Sequence, residues 1–175
     1  MIPVNILPST WFDSRLTLRF SPTHGKGLFA TDLIKAGEIV MIWGGNLYTE
    51  VDLRAGNVNK GAWSYSMIEE GLYLFAPEDG LDYYVNHSCD PNVWMADQVT
   101  VVGRRDIARG EEVRGDYAVW ESEPEYVLEP CQCRTPLCRT TITGNDWMRP
   151  ELQERYGGHF LPYLNRRIAQ ARSNG

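Results

Sequence analysis

Most features that would place this chain in a simple class are scarce. Apolar runs such as "VMIW" at 40–43 are far short of the roughly 18 residues a membrane helix needs. The N-terminal "MIPVNILPST" has no basic stretch followed by a long apolar run, so no secretory signal is read there and an intracellular protein is expected. There is no internal repeat and no low-complexity segment. A hydrophobic content of 43% argues against disorder throughout. Cations are outnumbered: 17 Lys and Arg stand against 23 Asp and Glu, for a net charge of −6. A dedicated nucleic-acid binder is disfavoured, because phosphate contacts need a cationic surplus. Helical periodicity is missing from the first 120 positions except near "EVDLRAGN" at 50–57.

What is present reads as a β-rich chain. A length of 175 residues suits one domain with a small appendage, and suffices for a core without disulfide staples. "LTLRF" (16–20) alternates as a half-buried strand does. "GLFATDLIKAGEIVMIWGG" reads as strand, turn at Lys35-Ala36-Gly37, then strand; "GLYLFAP" and "VTVVGRRDI" are further short strands. Beyond about residue 145 the pattern changes. Pro150 opens "PELQERYGG", with Leu152 and Tyr156 four apart, and Pro162 opens "PYLNRRIAQAR", with Leu164 and Ile168 four apart. Both read as short helices. The expected class is α+β and β-rich, with short C-terminal helices. Two acidic neighbourhoods stand out: Glu69, Glu70, Glu78, Asp79 and Asp82, then Glu121, Glu123, Glu125 and Glu129. They read either as solvated surface or as a field that draws in a cationic substrate and weakens with salt.

The four cysteines are Cys89, Cys131, Cys133 and Cys138, the last three in "CQCRTPLC". In an intracellular chain such a cluster reads as a metal site before it reads as disulfides. Four thiolates complete a tetrahedral Zn²⁺ and leave no position for water, so the site would be structural. The other reading is a set of small buried thiols, which the polar, loop-like "CQCRT" fits poorly. Zinc would tie Cys89 to the 131–138 segment. Cys89 itself lies in "YYVNHSCDPNVW" (83–94), a polar knot between apolar shoulders. By itself that stretch is a polar turn or a ligand-holding loop.

Four segments in order, "HGKGLFA", "VNHSCDPN", "GEEVRGDYA" and "CQCRTPLCR", resemble the SET-domain protein lysine methyltransferases over roughly residues 15–145. The last resembles the family's post-SET zinc segment, in which Cys131, Cys133 and Cys138 join Cys89. With no spare cysteines for a pre-SET module, the resemblance is to a compact, stand-alone type. It implies a SET fold of several small sheets with a knot-like crossing, where residues 83–92 and the stretch leading to Tyr117 thread past one another. The implied division is 1–125 SET domain, 126–145 zinc segment and 146–175 helical extension.

The resemblance also implies methyl transfer from S-adenosylmethionine to a lysine amine, with one structural Zn(II). The partner would be a basic, lysine-containing protein: a histone tail, or a DNA-associated or ribosomal protein. No membrane or direct nucleic-acid partner is expected. Residues around Lys26, Gly27 and Leu28 would face the cofactor, Asn86 its amino-acid end, and His87 the adenine through its backbone. A lone G-x-G is otherwise an ordinary turn, and Asn86 and His87 otherwise a self-satisfied polar loop. Tyr117 matches the catalytic tyrosine, and is otherwise a core residue. Tyr65 aligns with a tyrosine near the cofactor's amino-acid end.

Tyr83-Tyr84 replaces the family's Arg-Phe. Gly115 stands where the family usually carries Phe or Tyr, whose bulk limits how many methyl groups fit. The expectation is a roomy lysine pocket of Gly115, Tyr117 and Trp120, allowing di- or trimethylation unless Trp120 fills the space. Two functions compete: an active methyltransferase, and a catalytically silent SET module that binds a basic tail. Retention of Gly25, Gly27, Asn86, His87, Tyr117 and all four cysteines favours the first.

Overall fold

A computed structural model describes residues 6–58, 63–77 and 80–173. Glu78 and Asp79 of the first acidic neighbourhood lie outside the described residues. In chain order the strands are β1 (Trp11–Phe12), β2 (Leu16–Phe20), β3 (Lys26–Ala30), β4 (Ile39–Ile42), β5 (Asn46–Thr49), β6 (Trp63–Glu69), β7 (Leu72–Pro77), β8 (Asn86–His87), β9 (Val93–Met95), β10 (Thr100–Gly103), β11 (Glu112–Gly115), β12 (Val127–Leu128) and β13 (Ile142–Thr143). The helices are α1 (Glu50–Ala55), α2 (Pro150–Tyr156) and α3 (Pro162–Ser173). This is the β-rich fold with short helices expected from the sequence.

One sheet runs β1-β4-β10-β9-β11-β3-β2, with β8 also paired to β11. A second sheet runs β5-β7-β6, and β12 pairs β13. The 35–37 turn does not make a hairpin. β3 pairs with β2 and β11, whereas β4 pairs with β1 and β10. Buried Leu28, Val40, Met41, Val93, Val101 and Val113 supply the sheet's apolar side, as β-branched and bulky residues do on a pleated surface.

The helix ends follow local chemistry. Thr49 and Asp52 form a reciprocal capping box at α1: the Asp52 amide donates to Thr49 Oγ1 and the Thr49 amide to Asp52 Oδ2. Pro150 sits at the first position of α2, where its missing N–H costs nothing. Leu152 and Tyr156 of α2, Phe160, and Tyr163, Leu164 and Ile168 of α3 join the strand residues in one buried cluster. The Leu161 amide donates to the Val119 carbonyl at 2.8 Å. The C-terminal helices therefore pack directly behind the turn that carries Tyr117. Among the described residues, no helix is long and apolar enough to cross a membrane.

Candidate active site

The polar knot is built around β11. The Glu112–Val113 half of that strand pairs antiparallel with β3, while Arg114 and Gly115 pair in parallel with β8, and Gly115 also with Val93 of β9. The loop between β8 and β9 thus straddles the strand. Its polar groups are used there. The Ser88 amide donates to the Gly115 carbonyl and the Asn92 amide to the Arg114 carbonyl. The Asn92 side chain reads the strand from both ends, donating to the Glu112 carbonyl and accepting from the Arg114 amide. Buried main-chain groups are satisfied where chain crosses chain. This is the expected crossing of residues 83–92 with the stretch leading to Tyr117.

A cleft of about 560 Å³ opens beside it, lined by Lys26, Trp43, Tyr65, Asn86, Tyr117 and Trp120 among others. A small cavity of about 40 Å³ adjoins it, bounded by His24, Asn86, His87, Tyr117 and Cys131. A third hollow of about 420 Å³ shares Tyr65, Glu121 and Tyr126 with the cleft and adds Glu123 and Glu125. Burial, with Glu123 nearby, pushes the Glu121 carboxyl up. The second acidic neighbourhood is therefore largely a cleft wall. In the first neighbourhood, Glu69 and Glu70 pair with Arg166 and Arg167 of α3.

Asn86 has its amide orientation set from inside. Its Nδ2 donates to Glu112 Oε1 at 2.7 Å, to the Lys26 carbonyl at 3.0 Å and to the His24 carbonyl at 3.1 Å. Three acceptors around one nitrogen exclude the flipped amide. Its Oδ1 makes no hydrogen bond among the described residues, so Asn86 offers an acceptor. The same pair explains Gly27. A Cβ there would lie 2.1 Å from Glu112 Oε1 and 2.9 Å from Asn86 Nδ2. Of the run Lys26–Leu28, only Lys26 lines the cleft, and Leu28 is fully buried in the core. Tyr65 projects from β6, half exposed, and stacks on Phe75 with centroids 5.0 Å apart.

The Tyr117 hydroxyl donates to the Val85 carbonyl at 3.0 Å, with the His87, Trp120 and Tyr126 rings around it. Burial holds its phenol well above the usual range, so it stays protonated at neutral pH. The Tyr117 amide donates to His87 Nδ1 at 3.2 Å. His87 is therefore unprotonated on Nδ1, and burial lowers its pKa to about 4. Asp116 Oδ1 lies 3.8 Å from that nitrogen, which has no proton to give it. The remaining ring proton, on Nε2, points to Cys89 Sγ at 3.3 Å.

At Gly115 the stated exception to a roomy pocket applies, since Trp120 fills the space. A Cβ built on Gly115 would lie 1.9 Å from Trp120 Cη2 and 2.8 Å from its Cζ2 and Cζ3. The indole, packed edge-on to Trp43 with centroids 5.7 Å apart, occupies the space the glycine leaves.

The four cysteine sulfurs lie within 4.8 Å of one another. A tetrahedral thiolate site with metal–sulfur bonds near 2.3 Å needs sulfurs about 3.8 Å apart, so the cluster could hold a metal ion. Donors to sulfur are already placed: the Arg139 amide and His87 Nε2 face Cys89, each at 3.3 Å, and the Thr135 hydroxyl faces Cys133 at 3.4 Å. Such contacts stabilise thiolate ligands. Burial raises the Cys89 thiol, so an incoming metal must displace its proton.

One network carries no signal in the sequence. The Asp116 carboxylate, fully buried, accepts from Arg139 Nη1 at 2.6 Å, Arg139 Nη2 at 2.7 Å and the Tyr156 hydroxyl at 2.7 Å. Arg139 Nε reaches Asp146 Oδ2 at 2.9 Å. These partners hold the Asp116 carboxyl below its usual range despite burial. Glu112, Arg139 and Tyr126 carry no reading of their own in the sequence, and Tyr156 reads there only as a helix position. Only the adjacency of Arg139 to Cys138 and of Asp116 to Tyr117 hinted at them.

Comparison with known proteins agrees with this geometry. A family model described as "SET domain" matches residues 25–118, more than half of the chain. "Histone-lysine N-methyltransferase trithorax" of Drosophila virilis is 30% identical over 136 residues, 68% of this chain and 3% of that protein. "Histone-lysine N-methyltransferase set1" of Dictyostelium discoideum is 30% identical over 141 residues, 73% of this chain and 9% of that protein. The chain thus spans under a tenth of the length of these two relatives. The crystal structure of the methyltransferase domain of human histone-lysine N-methyltransferase SETMAR superposes with a TM-score of 0.55 at 19% identity, covering 74% of this chain and 58% of that one. That likeness concerns the fold. With the family model, the cysteine cluster and the β11 crossing in accord, the chain belongs to the SET domain family.

Proposed function

We propose that the chain transfers methyl groups from S-adenosylmethionine to the side-chain amine of a lysine in a protein substrate. The observation that carries this is the partly buried Tyr117 phenol, fixed on the Val85 carbonyl at the wall of a cleft that Asn86 also lines. The donor supplies an electrophilic methyl carbon on a positively charged sulfur. Asn86 Oδ1 suits the ammonium of its amino-acid end. The main chain at 24–26 and the cavity by His87 suit the rest of it, with Tyr65 and Lys26 on the cleft wall. We take the metal to be a single structural Zn²⁺ at Cys89, Cys131, Cys133 and Cys138, since four thiolates leave no open position.

A lysine amine attacks only with a free lone pair. Its pKa near 10.4 in water falls in an apolar passage, here walled by Trp43, Trp120 and Tyr126. Tyr117 keeps its own proton and so does not accept the lysine's, which leaves to solvent. The phenol and the Val85 carbonyl orient the reacting amine and methyl group. Glu121, Glu123 and Glu125 favour a cationic segment around the target lysine. A basic protein such as a histone, or another DNA-associated or ribosomal protein, is the substrate class this charge fits, and the relatives' printed names agree with it.

The test is transfer of labelled methyl from S-adenosylmethionine to lysine-rich protein by the zinc-loaded chain. Tyr117→Phe is expected to lower the rate by roughly 10²-fold with donor affinity kept. Donor or basic-tail binding without any transfer by the wild type would instead establish the silent module.

A further inference from the structure

We propose that Arg139, Asp116 and Tyr156 form a positioning device that sets the Tyr117 ring, which makes α2 a working part of the transfer site. The inference rests on the role given to Tyr117 above.

Asp116 immediately precedes Tyr117 and caps the turn that carries it, accepting from the Ala118 amide at 3.0 Å. Among the described residues the Tyr117 side chain has a single hydrogen bond, to Val85. Where the phenol lies therefore depends on where that turn is held. The turn is held through the Asp116 carboxylate, by a two-pronged guanidinium and one phenol. The three members come from three different places. Asp116 follows β11, Arg139 follows Cys138 of the metal cluster, and Tyr156 closes α2. Arg139 also donates its amide to Cys89 Sγ, and Arg155 of α2 donates to the Cys89 carbonyl at 3.3 Å. Sulfur cluster, helix and catalytic turn thus meet on one carboxylate.

Stability alone is a weak reason for such a group. Taking a carboxylate and a guanidinium out of water costs much of what their attraction returns, and an apolar replacement often serves as well. What the network adds is geometry: a guanidinium fork and a carboxylate fix both distance and plane. Misplacement of a reacting group by an ångström costs up to about 10²-fold in rate. α2 lies beyond residues 25–118, the span of the family match.

The experiment uses the full zinc-loaded chain labelled with 3-fluorotyrosine, the Tyr117 fluorine resonance being assigned by its loss in Tyr117→Phe. Tyr156→Phe removes one hydroxyl and leaves Arg139 on Asp116, so the fold is kept. Arg139→Lys keeps the charge and loses the fork. Ile168→Val, buried in α3, which contributes none of the three network residues, is the control for general loosening. The expected result is a displaced or broadened Tyr117 resonance in both network variants. With it, kcat falls about 3- to 10-fold for Tyr156→Phe and about 10- to 100-fold for Arg139→Lys, and KM for the donor stays within about twofold. Ile168→Val is expected to lower Tm and leave resonance and kcat in place. A Tyr117 resonance unmoved in the network variants, a kcat within about twofold of wild type in both, or the same changes in Ile168→Val would overturn the proposal. If the wild type transfers no methyl at all, the functional reading fails on that ground, and the resonance alone decides whether the network positions Tyr117.

Discussion

The indole of Trp120 makes a quantitative demand on the product. Its six-membered ring lies where a side chain at 115 would go, with Cη2 1.9 Å from the position of the absent Cβ. On the proposed reading, in which the target lysine enters beside Tyr117 and Trp120, each methyl already on its nitrogen must fit beside that ring. Forcing an extra methyl into a filled site costs about 1–3 kcal/mol. At about 1.36 kcal/mol per tenfold, each further transfer should run roughly 5- to 150-fold slower than the one before. Trp120→Ala removes the ring and with it that penalty. Its structural cost is bounded by the edge-on contact with Trp43, worth about 0.5–1.5 kcal/mol beyond area burial, plus the new void. The assay is a time course of product mass on one lysine peptide with excess donor and enzyme. Wild type should accumulate monomethyl product, and Trp120→Ala should raise the trimethyl share at least about fivefold. Gly115→Phe combined with Trp120→Ala returns a ring to the space from the other side and should restore the early stop. Successive transfers by the wild type at equal rates, or an active Trp120→Ala enzyme with an unchanged product profile, would refute the reasoning.

Three further outcomes follow from the same geometry. Gly27→Ala drives a methyl into the Asn86–Glu112 hydrogen bond and should weaken donor binding by roughly 10- to 100-fold, given about 1.5–3 kcal/mol for a bond to a charged group; titration calorimetry showing wild-type affinity would exclude it. Verified metal removal should speed amide exchange over 131–138 and reduce donor affinity, because the energy of a structural zinc site is folding energy; unchanged exchange and affinity would count against a metal-held flap. His87 has its folded pKa lowered by burial to about 4, below the 6.5 of the free side chain, so the unfolded chain binds the extra proton first. Its contribution is whole above pH 6.5 and is lost as pH falls towards 4, a swing on the order of 3 kcal/mol at about 1.36 kcal/mol per unit. Melting temperature should therefore decline over that window more steeply in wild type than in His87→Gln, and equal slopes would contradict the assignment.

What was legible in the sequence is what carries chemistry at a single position. Each thiol announces a possible ligand by itself, and four with nothing left over already suggest one closed site. The prolines at 150 and 162 announce helix starts because ring geometry and the missing N–H act locally. β6 gave no such sign. "WSYSMIE" mixes serines with aromatics, and its strand character comes from pairing with β7 along Trp63–Glu69. Gly27 is expected at the cofactor, and the space beside its Cα is taken by Glu112 and Asn86. Gly115 reads as an opening unless Trp120 fills it, and Trp120, five positions on, does fill it. In both cases a small residue reports that something approaches closely without saying what.

The Asp116 network shows why that limit is physical. Residues 116, 139 and 156 sit on a turn, the cysteine-cluster loop and a helix, and no periodicity relates them. Their meeting depends on β11 being straddled by the 88–92 loop, which fixes Cys89 and hence where the 131–138 segment can lie. It depends as well on α2 packing its apolar face, Leu152 and Tyr156, into the sheet's core cluster. Only after both has the Tyr156 hydroxyl a buried carboxylate within 2.7 Å. A phenol in that position would have gone into the core for its ring alone, since a buried tyrosine contributes chiefly apolar area. Its hydroxyl then had to find a partner, and Asp116 had to find enough donors to remain ionised out of water. Each group's burial cost is met by the other, so two requirements of the core converge on the residue beside Tyr117, and a packing decision in the C-terminal helix becomes a constraint on the turn that carries Tyr117.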